Sequence, residues 1–309
     1  MKTLIGIDGS DGSIQAVRFA ANLLSADKDE VVLYYAPPQI NVQSGPRPDD
    51  EVLARMRQTM TDAVFEKARA ELPTALNAKT TTVIGSRKPK QGLLVAADES
   101  RAEMIVVGAR GTGPLTRLSV GSVSRSVVHN STIPVLVVRG AQKVDKGNGL
   151  RVLLACNASE ESAHSRNLLS KFTWPSDSIG RVITVIDSGL VGVMPPWLEE
   201  QLRETEGESQ PEASDILAHV DEEREHIHKE AAEWCGELPA VFQNEPPIVT
   251  NGHASQEILK AIDAEKIDLV AVGARRLGTL GRWFTGSTSE HLLSHAPCSV
   301  LIVRQHEQS

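Results

Sequence analysis

The chain repeats itself, and this limits its architecture more than any other feature. Residues 3–13, TLIGIDGSDGS, are matched by VLLACNASEES at 152–162. IVVGARGTGPLTRLSVGSVS at 105–124 is matched by VAVGARRLGTLGRWFTGSTS at 270–289. Each copy closes alike, with PVLVVR at 134–139 and SVLIVR at 299–304. The offset is 149 residues from Asp8 to Asn157 and 165 from Gly108 to Gly273, so the second copy holds 16 more. Leu72-Pro73 and Leu238-Pro239 already differ by 166, which places the insertion ahead of them, within 188–214. That stretch includes MPPW and GESQP, a loop composition. The polar segment GAQKVDKGNG at 140–149 links two expected domains, 1–140 and 150–305, a number that suits a chain of 309 residues.

Within the first copy, apolar runs alternate with helical patterns. Strands are expected at Leu4–Ile7, Val31–Tyr35, Thr80–Ile84, Met104–Val107 and Pro134–Val138. Helices are expected from Ser13, with Ile14, Val17, Ala21 and Leu24 on the apolar face, and over 91–99 and from Ser122. Between the second and third strands, Val52, Met56, Met60 and Ala63 are spaced as one buried helix face. The strands read as continuous apolar runs, the mark of a parallel sheet covered on both sides. The fold class is therefore α/β: two doubly wound, five-stranded, parallel-sheet domains of Rossmann-like type, in tandem. Ligands of such folds bind beyond the carboxyl ends of the strands. Here those ends are Asp8, Ala36, Ile84–Gly85 and Gly108.

Composition narrows the functional classes. Aromatic residues make up 4% of the chain, so the core must rest on Val, Leu, Ile and Ala. The net charge of -8 is unevenly placed, because Glu199–Glu237 holds 14 acidic residues against Arg203, Arg224 and Lys229. No Lys/Arg-rich arm or face marks a nucleic-acid-binding domain. No apolar run has the length of a membrane span, and Asp8 interrupts any signal-peptide core. Three widely spaced cysteines, Cys156, Cys235 and Cys298, suggest a reducing, cytoplasmic setting without a disulfide framework or zinc motif.

The fourth strand runs into Gly108-Ala-Arg-Gly111, then nine residues, then Gly121-Ser122 at a helix start. Glycines there permit a tight turn and a close approach to a ligand. A helix start offers free N–H groups and the positive end of the dipole to an anion. A Ser122 hydroxyl can donate to a phosphate oxygen, and Arg110 and Arg117 add positive charge. This is a phosphate cradle, although no Walker A motif occurs. Gly6-x2-Gly9-x2-Gly12 has the wrong spacing for a dinucleotide fingerprint, and Asp8 and Asp11 would repel a pyrophosphate.

These residues carry a resemblance. The G-x2-G-x9-G-S pattern at Gly108, Gly111, Gly121 and Ser122, IGIDGSDGS at the start and IPVLVVR at the end of the copy resemble the universal stress protein family. The match covers nearly the whole chain twice, as in a tandem member. The resemblance implies an adenine nucleotide alpha hydrolase-like fold and ATP as the ligand, with or without Mg2+. It implies a nucleotide-binding set of Asp8, Gly9, Ala36, Gly108, Arg110, Gly111, Gly121, Ser122 and Val123. Asp8 would lie at the adenosine pocket and Ala36 at the adenine, with the glycines and serine on ribose and phosphates. It also implies pairing of the last strands within one chain, and leaves room for a homodimer.

The second copy departs from the pattern. Asn157 replaces Asp8, Ala158 replaces Gly9, and Arg276 stands at the Gly111 position, between Gly273 and Gly286-Ser287. A side chain there fills ligand space or supplies a built-in cation, so the second site is expected to be degenerate. His291 and His295, four apart, and His226-x-His228 read as solvated helix residues rather than metal ligands. Trp197 and Trp283 read as packing against the insertion rather than lining a ligand pocket. The leading functional reading is an ATP-binding stress-response protein acting as a sensor or adaptor. The alternatives are a non-nucleotide interaction or ligand-binding protein working through its second half, and a weak ATPase.

Overall fold

A computed structural model describes residues 1–38, 49–110, 120–139, 149–156, 162–187, 189–204, 211–273 and 286–304. The N-terminal half runs β1 (Lys2–Ile7), α1 (Asp11–Leu23), β2 (Glu30–Tyr35), α2 (Asp50–Arg69), α3 (Thr74–Ala78), β3 (Thr80–Ile84), α4 (Pro89–Ser100), β4 (Met104–Gly108), α5 (Ser122–Asn130) and β5 (Val135–Val138). The C-terminal half runs β6 (Arg151–Ala155), α6 (Ser162–Leu169), β7 (Ile179–Ile186), α7 (Gly189–Val193), α8 (Pro196–Glu204) and α9 (Pro211–Cys235). It continues with β8 (Ile248–Asn251), α10 (Ala254–Ala264), β9 (Leu269–Gly273), α11 (Ser287–His295) and β10 (Ser299–Val303).

The strands form one ten-stranded sheet in the order β3-β2-β1-β4-β5-β10-β9-β6-β7-β8. Each half is parallel throughout, with strand order reversing beside its first strand. The halves meet where β5 and β10 pair antiparallel, with Leu136 opposite Leu301. This junction follows from the sequence. VLVV and SVLIV are apolar on both faces, so neither can end as a wetted edge. Two apolar layers cover the sheet, and each is continuous across both halves. No helix among the described residues is long and apolar enough to cross a membrane.

One expected core face is wrong. Val52, Met56 and Met60 are 39, 47 and 40% exposed, and Ala63 is exposed too. Helix α2 instead buries Leu53, Thr61, Phe65 and Ala68. Its C-terminal anchors fix that rotation. Phe65 packs edge-to-face on Tyr35 at 6.2 Å, and Arg69 donates to Asn77 Oδ1 at 2.7 Å and Thr80 O at 2.9 Å.

The insertion also departs from the expected loop. It forms α7 and α8, which lie against α9 and end near Asn251 of β8. Val191 joins Ile186 and Val220 in a small core of its own. Glu223 accepts from Val191 N at 3.0 Å, beside Gly189, whose φ of +71° suits glycine. Arg203 and Arg224 each bond both Glu199 and Asp221, clamping α8 to α9 at 2.6–3.1 Å. Burial alone would raise Glu199, but the bonds from Arg203 and Arg224 prevail and hold its carboxyl below the usual range. Part of the acidic block is thus structural.

Candidate functional site

The carboxyl edge of the N-terminal half gathers the expected residues. Pairing of Ile7 with Tyr35 places Asp8 and Ala36 side by side, one step past the ladder. Gly6 pairs with Val107, which brings Gly108 and Ala109 to the same edge. Asp8 turns back on its own chain: its Oδ1 accepts from Ser10 N at 3.0 Å and Ser10 Oγ at 2.5 Å. Gly9 makes this turn at φ +80°, and Ser10 then caps α1 through Ser13 N. Asp8 stays exposed, with Oδ2 free of protein donors among the described residues. Burial raises the Tyr35 hydroxyl, and the Asp8 charge acts in the same sense, which places the two at one end of the sheet. Ala36 is half-buried against the apolar layer.

The glycine motif supplies the other wall. Gly121 N donates to Ala109 O at 2.7 Å, and Ser124 Oγ donates to Gly108 O at 2.7 Å. These two bonds fix the start of α5 to the end of β4. Gly121 is the N-cap and has no side chain to make a capping bond, so among the described residues the cap itself leaves the helix start at Ser122 and Val123 uncovered. Ser122 is exposed and Val123 half-buried. Arg110 lies near Arg139. Burial chiefly lowers the Arg139 guanidinium, and the Arg110 charge adds to that effect. Gly108 also has a packing role: a Cβ there would stand 2.6 Å from Gly12 O, so this glycine seats α1 against β4. Gly111 and Arg117 lie outside the described residues.

Two contributors were missed. Lys67 of α2 donates to Gly9 O at 3.0 Å and pairs with Asp11 at 3.6 Å. Ser124 stands just beyond the Gly121-Ser122 pair, and the repeat keeps a serine at the same place. Its counterpart Ser289 donates to Gly273 O at 3.1 Å, the same bond in the second half.

In that half Gly273 and Ser287 are exposed and Gly286 half-buried. Asn157, Ala158, Arg276 and Trp283 lie outside the described residues. Trp197 is exposed rather than packed. His226 pairs with Glu230 at 3.3 Å on an exposed face, and His291 stacks on His295 at 4.2 Å. Among the described residues no group of three or more His, Cys, Asp or Glu could hold a metal. Cys156 follows β6 and is half-buried, whereas Cys235 and Cys298 are buried. Burial raises both buried thiols, Cys298 to about 12. One thiol per native chain should therefore react with Ellman's reagent at pH 8, and all three after denaturation. Rapid native labelling of Cys298 would contradict the buried β9–β10 core.

The model of the universal stress protein family matches residues 1–139 and 197–304. The chain belongs to the universal stress protein family. A universal stress protein of Mycolicibacterium smegmatis is 27% identical over 318 residues, covering 97% of this chain and 96% of that protein. A shorter universal stress protein of Mycobacterium tuberculosis is 30% identical over 141 residues, covering 44% of this chain and 93% of its own length. A crystal structure of a universal stress protein from Archaeoglobus fulgidus shares the fold, with a TM-score of 0.58 at 17% identity and 98% of each chain covered. The two universal stress protein matches lie in the two halves of the sheet, and residues 140–196, with α7, fall between them.

Proposed function

We propose that this universal stress protein binds ATP in an N-terminal domain, residues 1–140, and acts as a nucleotide-dependent sensor or adaptor. The observation that carries the reading is the start of α5, a helix N-terminus whose N-cap is the side-chain-free Gly121, opening at the same sheet edge as Asp8 and Ala36. The residues fit the ligand. Amides of Ser122 and Val123 would meet phosphate oxygens, with Arg110 adding charge. The free Asp8 Oδ2 would accept from a ribose or base donor. Ala36 offers a small apolar contact for the base. Gly111 belongs to the same set by its place in the motif.

The second domain, residues 150–305, is proposed to have lost this function and to serve another ligand or partner. The arrangement of α7 and α8 favours that reading, because these helices sit by the carboxyl end of β8, at the edge where a ligand would lie.

Native mass spectrometry and calorimetry test both statements. One ATP per chain is expected, with binding abolished in Gly111→Arg. Two equivalents per chain, or none, would overturn the assignment. Repeating the titration with EDTA reads the part played by Mg2+, and a phosphate-release assay reads hydrolysis.

A further inference from the structure

The residue after β10 is Arg304, which is 2% exposed. Its guanidinium crosses into the other half. Nη1 donates to Ser131 O at 2.7 Å and Nη2 donates to Val128 O. Those carbonyls belong to the C-cap and last turn of α5. A buried cation there satisfies carbonyls that lack helical partners and opposes the negative end of the dipole. Burial lowers the Arg304 guanidinium to about 10, so it stays charged at neutral pH.

Further contacts bind α5 to the C-terminal half. Arg125 pairs with Glu290 at 3.5 Å and donates to Ser294 Oγ at 3.2 Å, and His129 Nε2 lies 3.2 Å from Glu290 Oε2. The repeat makes the exchange reciprocal. Arg139, the counterpart of Arg304, donates to Leu293 O in the last turn of α11 and holds Ser299 Oγ through its own amide at 3.2 Å. At its far end α5 is held by Gly121 N and Ser124 Oγ, next to the candidate phosphate position. Nine residues of helix span only about 13 Å, so a shift at one end moves the other as a rigid body.

We propose that Arg304 is a positioning residue for phosphate binding in the opposite half. The last strand of the C-terminal half holds the anion-binding helix of the N-terminal half in place. The inference rests on the nucleotide reading above and deepens it: the degenerate half becomes the scaffold of the working site.

The test compares the full-length chain with Arg304→Met and Arg304→Lys, using ATP and adenosine as probes by calorimetry. Amide hydrogen exchange is followed without nucleotide. In Arg304→Met, α5 amides should exchange faster and the Kd for ATP should rise on the order of tenfold, while the Kd for adenosine stays within about twofold. Arg304→Lys should recover part of the ATP affinity. A merely structural residue would weaken both probes in parallel. That result, or an unchanged ATP affinity, overturns the proposal. If Arg304→Met does not fold, Arg304→Lys decides by the same ATP-to-adenosine split. A wild-type chain that binds neither probe sinks the nucleotide reading and this inference with it. A failure confined to the variants sinks the positioning role alone.

Discussion

Replacing Gly108 by alanine should lower the stability of the chain by about 2–3 kcal/mol, a fall in Tm of roughly 3–5 °C. A single methyl causes this because of what it meets. The new Cβ would stand 2.6 Å from Gly12 O, 2.7 Å from Gly12 C and 3.1 Å from Ser13 N. All three are backbone atoms of the first turn of α1, which has no rotamer to adopt. The contact is matched from the other side, since a Cβ on Gly12 would stand 2.5 Å from Arg110 O. Relief therefore requires α1 to lift off β4, taking with it the Asp8–Ser10 turn. Ser124 would also lose its register with Gly108 O, so the proposed ATP binding should weaken along with stability. Thermal unfolding of Gly108→Ala reads the effect, and a Tm within about 1 °C of wild type would show that the α1–β4 contact does not decide it.

That close packing also shows what the residues disclosed. The strands were legible because they are apolar runs bounded by polar turns, and β3 occupies the expected Thr80–Ile84. The repeat then dictated that both halves share one topology. The rotation of α2 was not legible. Val52, Met56 and Met60 form a better apolar stripe than Leu53, Thr61, Phe65 and Ala68, which includes a threonine. Only the long-range contacts of Phe65 and Arg69 select the second stripe. The helices of the insertion were hidden for a similar reason. MPPW and GESQP look like loop, yet prolines at the first positions of α8 and α9 are compatible with helix starts. What stabilises α8 is a set of ion pairs with α9, which no spacing rule announces.

For the candidate site, the split is between motif and support. Asp8, Ala36, Gly108, Gly121 and Ser122 could be picked out because each stands at the end of a strand or the start of a helix. Ser124 and Lys67 act on carbonyl oxygens across the fold, and such partners emerge only when the strands are in register. Arg304 is the extreme case. It ends the segment SVLIVR, where a charged residue after a strand reads as a solvated terminus, but the antiparallel junction buries it against α5.

The same junction should make the two halves unfold as one. Leu136 and Leu301 face each other across β5 and β10, both 0% exposed and in one apolar layer. Truncating either to alanine should cost about 3 kcal/mol, the sum of the lost transfer energy and the cavity left in a sheet that cannot close around it. The cavities are adjacent, so Leu136→Ala with Leu301→Ala should cost less than the two added, by about 1 kcal/mol. A calorimetric scan of the three variants gives both quantities. It also tests cooperativity, because the apolar layers run through β5 and β10 without a break and Arg139 and Arg304 exchange partners across them. A single transition that shifts whole in each variant is the expected form. Two transitions, of which Leu136→Ala moves only one, would mean that each half is stable alone and that the arginines hold together pieces already folded. In that event the C-terminal half could still orient α5, but it would not be needed to fold it.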